Sequence, residues 1–138
     1  MKALLAMGVL VSALALWPDK LWAQSAAPAA LSIDAGSAVH ELVDAMKAND
    51  AARIRALFAP DASQAYGDGR PKTGPAFFAW LQSDIIERKG QVDDAQFAVN
   101  GNEVIVTGQY RNSRGYRAAA NFRFVVDDGR IASWQMRY

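Results

Sequence analysis

The sequence predicts an α+β fold, and three observations carry that prediction. Residues 37–89 set their apolar side chains at helical spacing, with one short stretch between helices suited to a strand. From Val92 onward the period falls from about 3.6 residues to about 2. The turn signals Asn100-Gly101, Asn112-Ser113-Arg114-Gly115 and Asp128-Gly129 then divide the remainder into four strands in meander order. Three helices segregated ahead of a continuous antiparallel sheet form an α+β arrangement.

Residues 1–23 read as a secretory signal. Lys2 gives a basic start, and Ala3–Trp17 is an apolar run too short for a spanning helix, which needs about 20 residues. Pro18-Asp19-Lys20 breaks the run, and Ala23 offers a small residue for cleavage, with Ala15 and Ala26 as alternative positions. The competing reading is an uncleaved membrane anchor. Residues 24–36 are rich in alanine and proline and read as a linker, which leaves 37–138 as the folded domain. The expected location is therefore the periplasm or the exterior, with no stable membrane insertion once the signal is cleaved.

The chain has no cysteine, which excludes disulfides, thiol catalysis, thiolate metal sites and a lipidated cysteine. Loss of residues 1–23 removes Lys2, Lys20 and Asp19 and leaves 13 basic against 13 acidic residues. A balanced charge gives no reason to expect nucleic acid as a partner.

In Ser37–Lys47, Val39, Leu42, Val43 and Met46 share one helix face, and Ser37 can cap it. Asn49-Asp50 breaks the pattern, and Asp50 can cap a second helix, Ala51–Phe58, with Ile54, Leu57 and Phe58 inward. After the Ala59-Pro60-Asp61 break, Ser63–Tyr66 can pair as a strand, followed by the turn Gly67–Pro71. Thr73 can cap a third helix that opens at Pro75, runs to Lys89 and stops at a left-handed Gly90. The strands are expected at Gln96–Asn100, Glu103–Asn112, Tyr116–Asp127 and Arg130–Tyr138. Both faces of the last two carry apolar residues, so a covering partner is expected on the outer face, a second copy of the chain making a homodimer through the sheet.

Three quoted stretches carry a family resemblance. VHELVDAMKANDAARIRALFAPDA, TGPAFFAWL and NFRFVVDDGRIASWQMRY, in that order and spacing, resemble the nuclear transport factor 2-like superfamily and its SnoaL-like branch across residues 37–138. The resemblance implies a cone, a curved antiparallel sheet wrapped on the first helix with a pocket at its open end, as in cystatin-like folds. It also implies two classes of function, since that superfamily holds both isomerases or hydrolases and binding modules without chemistry. Its epoxide-hydrolase branch places an acid two residues after the last tryptophan; here Met136 stands there, and Thr107 stands near the other acidic position. Neither can act as a general base.

The remaining candidates are few. Tyr66 could donate a hydrogen bond to a ligand or serve only in packing. Asp68 lies between two glycines, where turn chemistry accounts for it equally well. Asp84 follows Trp80 by four residues; beside aromatic rings its pKa would rise and suit it to base chemistry, whereas facing solvent it would be an ordinary surface acid. Asn121 and Arg123 share a strand face and would bind an anion if that face lined the cone, or meet solvent or a partner if it faced outward. Trp134 and Met136 complete the candidate lining. Arg111, Arg114 and Arg117 cluster at one turn, either solvated or facing an anion. His40 is the only histidine, and no metal or other cofactor is expected. The sequence therefore supports a module for a small apolar or weakly anionic ligand, with a SnoaL-like isomerase or hydrolase using Asp84 and Tyr66 as the alternative. A third reading is an interaction domain whose pocket is filled by Phe77, Trp80, Phe122 and Trp134.

Overall fold

A computed structural model describes residues 34–137. The expected signal 1–23, most of the linker and Tyr138 lie outside the described residues. Helix α1, Ala35–Lys47, begins two residues earlier than expected, because Asp34 rather than Ser37 is the cap. The Asp34 carboxylate accepts from the Ser37 N–H at 2.7 Å, and that bond holds its pKa below the ordinary value. Ala38, Val39, Leu42, Ala45 and Met46 form the buried stripe. Asp50 caps α2, Ala51–Ala56, as expected, and Arg53 of α2 pairs with Glu41 of α1.

The chain turns into strand β1 earlier than its proline suggests. Phe58–Tyr66 is one strand, so Phe58 opens it instead of closing α2. A proline removes a ladder donor and is disfavoured inside sheets. Here the pairing of β1 with the last strand shifts between Phe58 and Ser63, so Pro60 sits in an irregular stretch with no partner to satisfy. A two-residue strand β2, Lys72–Thr73, covers the far edge of β1. Helix α3, Pro75–Trp80, is capped by Gly74 at positive φ without any side-chain bond from Thr73. It continues as a π-helical segment, Leu81–Ile86. Lys89, not Gly90, takes the left-handed conformation that ends it. Gly90 is required for another reason: a Cβ there would collide with the ring and hydroxyl of Tyr110.

Strands β3 (Gln91–Asn100), β4 (Glu103–Arg111), β5 (Arg117–Asp127) and β6 (Arg130–Met136) form the expected antiparallel meander. The six-stranded sheet has the order β2-β1-β6-β5-β4-β3, and only the β1–β6 pairing is parallel. Two irregularities bend it. One lies in β3 between Asp93 and Gln96, where Asp94 has positive φ. The other, between β5 and β6, interrupts the alternation so that Ile131 and Trp134 both point inward. Bulges of this kind increase local twist and curvature.

The concave face carries Val104, Val106, Tyr110, Ala120, Phe122, Phe124 and Val126, all buried against the helices. Trp134 lies at the centre, 5.0 Å from Phe124, 5.2 Å from Trp80 and 5.5 Å from Phe122 between ring centroids. Burying each such side chain contributes about 1.5–3 kcal/mol. The outer face carries two cross-strand ion pairs, Arg111–Asp93 and Arg123–Glu103. Among the described residues no helix is long and apolar enough to cross a membrane.

Candidate functional site

The C-terminal ends of β1, β4 and β6 and the start of β5 meet at one end of the sheet, and the α3 helix with its π-helical extension runs beside them. Between them lies a cavity of about 250 Å³. Trp80, Ile85, Ala118, Phe122 and Met136 give it apolar walls; Tyr66, Asp84, Arg88, Tyr110, Asn112, Arg114 and Tyr116 give it polar atoms. β1 and β6 are tied at this end by the Gly67 N–H donating to the Met136 carbonyl at 2.7 Å, which fixes Tyr66 beside Met136.

The helical wall owes its composition to the π-helical turn. Trp80, Asp84, Ile85 and Arg88 all reach the cavity. Successive four-residue steps along an α-helix drift around its axis, and the wider π turn reduces that drift. Such segments occur often at functional sites. The Trp80 indole N–H donates to the Tyr66 hydroxyl at 2.9 Å, and Lys72 lies over the Tyr66 ring at 4.9 Å. Tyr66 is thereby held in one orientation with its hydroxyl oxygen already accepting. The Ser83 hydroxyl donates to Asp84 Oδ1 at 2.9 Å.

Tyr110 is the residue that sequence reasoning missed. Burial, and after it the negative charge of Asp84, pushes its phenol up to about 12. The hydroxyl is therefore a protonated donor throughout the neutral range, in a wall that excludes most water. A signal was present: pairing β4 with β5 across the Asn112–Gly115 turn puts Tyr110 opposite Ala118, on the face of Phe122.

Of the residues singled out in the sequence, Tyr66, Trp80, Asp84 and Met136 line this cavity together. Trp134 lies in the core, in ring contact with Trp80 and Phe122, and is not part of the lining. Asn121 and Arg123 do not reach the cavity. They stand on the outer face, where Arg123 pairs with Glu103 and borders a shallow polar depression with Gly67, Asp68, Gln135 and Arg137. The arginine cluster splits: Arg111 pairs outward with Asp93, Arg117 is exposed and Arg114 lines the cavity. His40 stacks on Phe97. Among the described residues no group of three or more histidine, aspartate or glutamate side chains could hold a metal ion.

The model of the SnoaL-like domain matches residues 39–134. The chain belongs to the SnoaL-like family. Solved structures with the same fold agree with this SnoaL-like assignment. An NTF2-like protein of unknown function from Cytophaga hutchinsonii superposes with a TM-score of 0.65 at 16% identity, over 76% of this chain and 89% of its own. A Pseudomonas putida protein described as a candidate polyketide cyclase gives 0.61 at 23% identity, over 78% and 92%. A computationally designed 17-OHP binder gives 0.64 at 19%, over 75% and 89%. No curated protein matches the SnoaL-like chain. At these identities the neighbours establish the fold alone.

Proposed function

We propose that this SnoaL-like domain binds a compact, mostly apolar small molecule carrying one hydrogen-bond acceptor. The observation that carries the reading is the meeting of apolar walls with Tyr110, whose phenol stays protonated, at one cavity. Ligand sites combine largely hydrophobic lining with a few placed polar groups in this way. The cavity is slightly below the usual range of about 300–1,000 Å³, which suits a ligand of one or two rings. The same-fold neighbour designed to bind 17-OHP supports it by analogy.

The test is a titration with 2-tetralone, a bicyclic ketone, followed by amide and indole NMR shifts. Shifts are expected at the Trp80 indole, Tyr110 and Ala118, with Asn121 and Arg123 unmoved. Tyr110→Phe is expected to weaken binding about three- to tenfold, the worth of one hydrogen bond. Saturating ketone that leaves the cavity residues unshifted would remove the reading.

Asp84 on the same cavity as Tyr66 and Tyr110 favours one alternative, an isomerase-type enzyme in which Asp84 takes a proton from carbon beside a carbonyl held by a phenol. In deuterium oxide such an enzyme would accelerate exchange of the 2-tetralone α-protons, and Asp84→Asn would abolish that while preserving binding. Exchange no faster than in buffer removes this alternative.

The protein is further read as exported, periplasmic or secreted, on the strength of the basic and apolar leader at residues 1–23 and the absence of cysteine. It is read as a homodimer through the outer sheet face. Ile105, Ala119 and Val125 on that face support this. Sedimentation at micromolar concentration showing a monomer alone would rule the dimer out.

A further inference from the structure

The cavity has an electrostatic polarity that an apolar ligand alone would not use. Arg88 and Arg114 both line it, and the backbone holds them at one end. The Ser113 N–H and hydroxyl both donate to the Arg88 carbonyl, at 2.8 and 2.9 Å, which ties the β4–β5 turn to the end of the helical wall. Asn112 shapes that turn, its Oδ1 accepting from the Arg114 N–H at 2.9 Å and the Tyr116 N–H at 3.3 Å. The two arginines thus belong to one rim, built by residues 112–116 and the helix end.

Arg53, Arg111 and Arg123 each have an acidic partner in contact. Among the described residues Arg88 and Arg114 have none, although Asp84 lies one turn from Arg88 on the same cavity. The cavity lining therefore carries two cations against one anion. The rim that carries Arg88 and Arg114, beside the exposed Tyr116, is thus the positive part of the cavity. Guanidiniums favour carboxylates by geometry as well as charge.

We propose, resting on the binding reading above, that the ligand is a compact amphiphile. Its apolar body lies against Trp80, Phe122 and Met136, and a single carboxylate sits at the rim between Arg88 and Arg114.

Matched acid and amide probes test this by calorimetry on the protein: 2-naphthoate against 2-naphthamide, and benzoate against benzamide. Each pair has nearly the same shape and differs in charge. The acid is expected to bind about tenfold tighter or more, roughly 1.4 kcal/mol. Added salt is expected to shrink that preference because the rim is open to solvent. The double variant R88Q/R114Q is expected to erase the preference for acid over amide. An amide that binds as tightly as its acid overturns the carboxylate assignment while the binding reading stands. A preference that survives R88Q/R114Q overturns the assignment of these two arginines. If neither member of either pair binds, the binding reading falls and the inference falls with it.

Discussion

Trp134→Ala is expected to destabilise the fold by about 3–5 kcal/mol, the usual cost of truncating a large buried aromatic. The side chain is 1% exposed and is the hub of the ring network, touching Phe58, Trp80, Phe122 and Phe124. Against a total stability of about 5–15 kcal/mol, that is a large fraction. Part of the loss propagates to the cavity, because Trp80 and Phe122 line it from one side and rest on Trp134 from the other. Trp134→Phe is the informative companion. The indole N–H is buried without an acceptor among the described residues, so its native contribution is reduced by an unmet hydrogen bond of about 1–3 kcal/mol. Phenylalanine keeps much of the packing and removes the unmet donor, so its cost is expected to be well under half that of alanine. Chemical denaturation with an unchanged slope measures both. If the two substitutions cost the same, ring packing is not what Trp134 supplies.

Which parts of this molecule could be read in its sequence follows from how local their causes are. The α1 stripe and the meander turns were legible because periodicity and turn chemistry act over a few residues. Whether Tyr66 and Asp84 meet was open in the sequence, because it depends on how the ends of β1, β6 and the α3 wall come together; they line one cavity with Trp80 and Met136. The assignment of Phe58 to α2 failed because an apolar residue four positions after Ile54 satisfies a helix face equally well. What decides it is the parallel pairing with Ile131, more than seventy residues away. The inward turn of Ile131 together with Trp134 depends on a register shift against β5, which a strict period of two hides. Arg123 was ambiguous for a related reason. Its strand alternates cleanly, but which face is concave is set by the helices; Phe122 and Phe124 take that face and leave Arg123 to pair with Glu103 outside. Tyr110 was missed because its importance lies in burial and in the charge of Asp84, neither of which a strand pattern records.

Gly108→Ala is expected to cost about 2–6 kcal/mol and to deform the ligand cavity as well. Gly108 has a φ of 151°, outside the comfortable range of an L-residue, and a Cβ there would lie 2.6 Å from the Asp93 carbonyl oxygen and 3.1 Å from that of Asp94. Backbone strain accounts for about 1–3 kcal/mol, and forced repacking for about 1–3 kcal/mol more. The nearest colliding atoms are backbone, so no rotamer change relieves them. The missing side chain lets the β3 irregularity press closely against β4, and bulges of this kind increase local twist. Tyr110 is two residues further along β4 and is paired with Val92 across the same bend. Pushing β3 and β4 apart there would move the phenol away from Gly90, against which it is closely packed. Two readouts separate stability from shape. Denaturation gives the loss of stability. In the protein that still folds, the Tyr110 phenol is expected to titrate closer to the ordinary tyrosine value, about 10, than to its native value of about 12. A folded Gly108→Ala protein with the Tyr110 titration unchanged would show that the bend does not position the cavity wall.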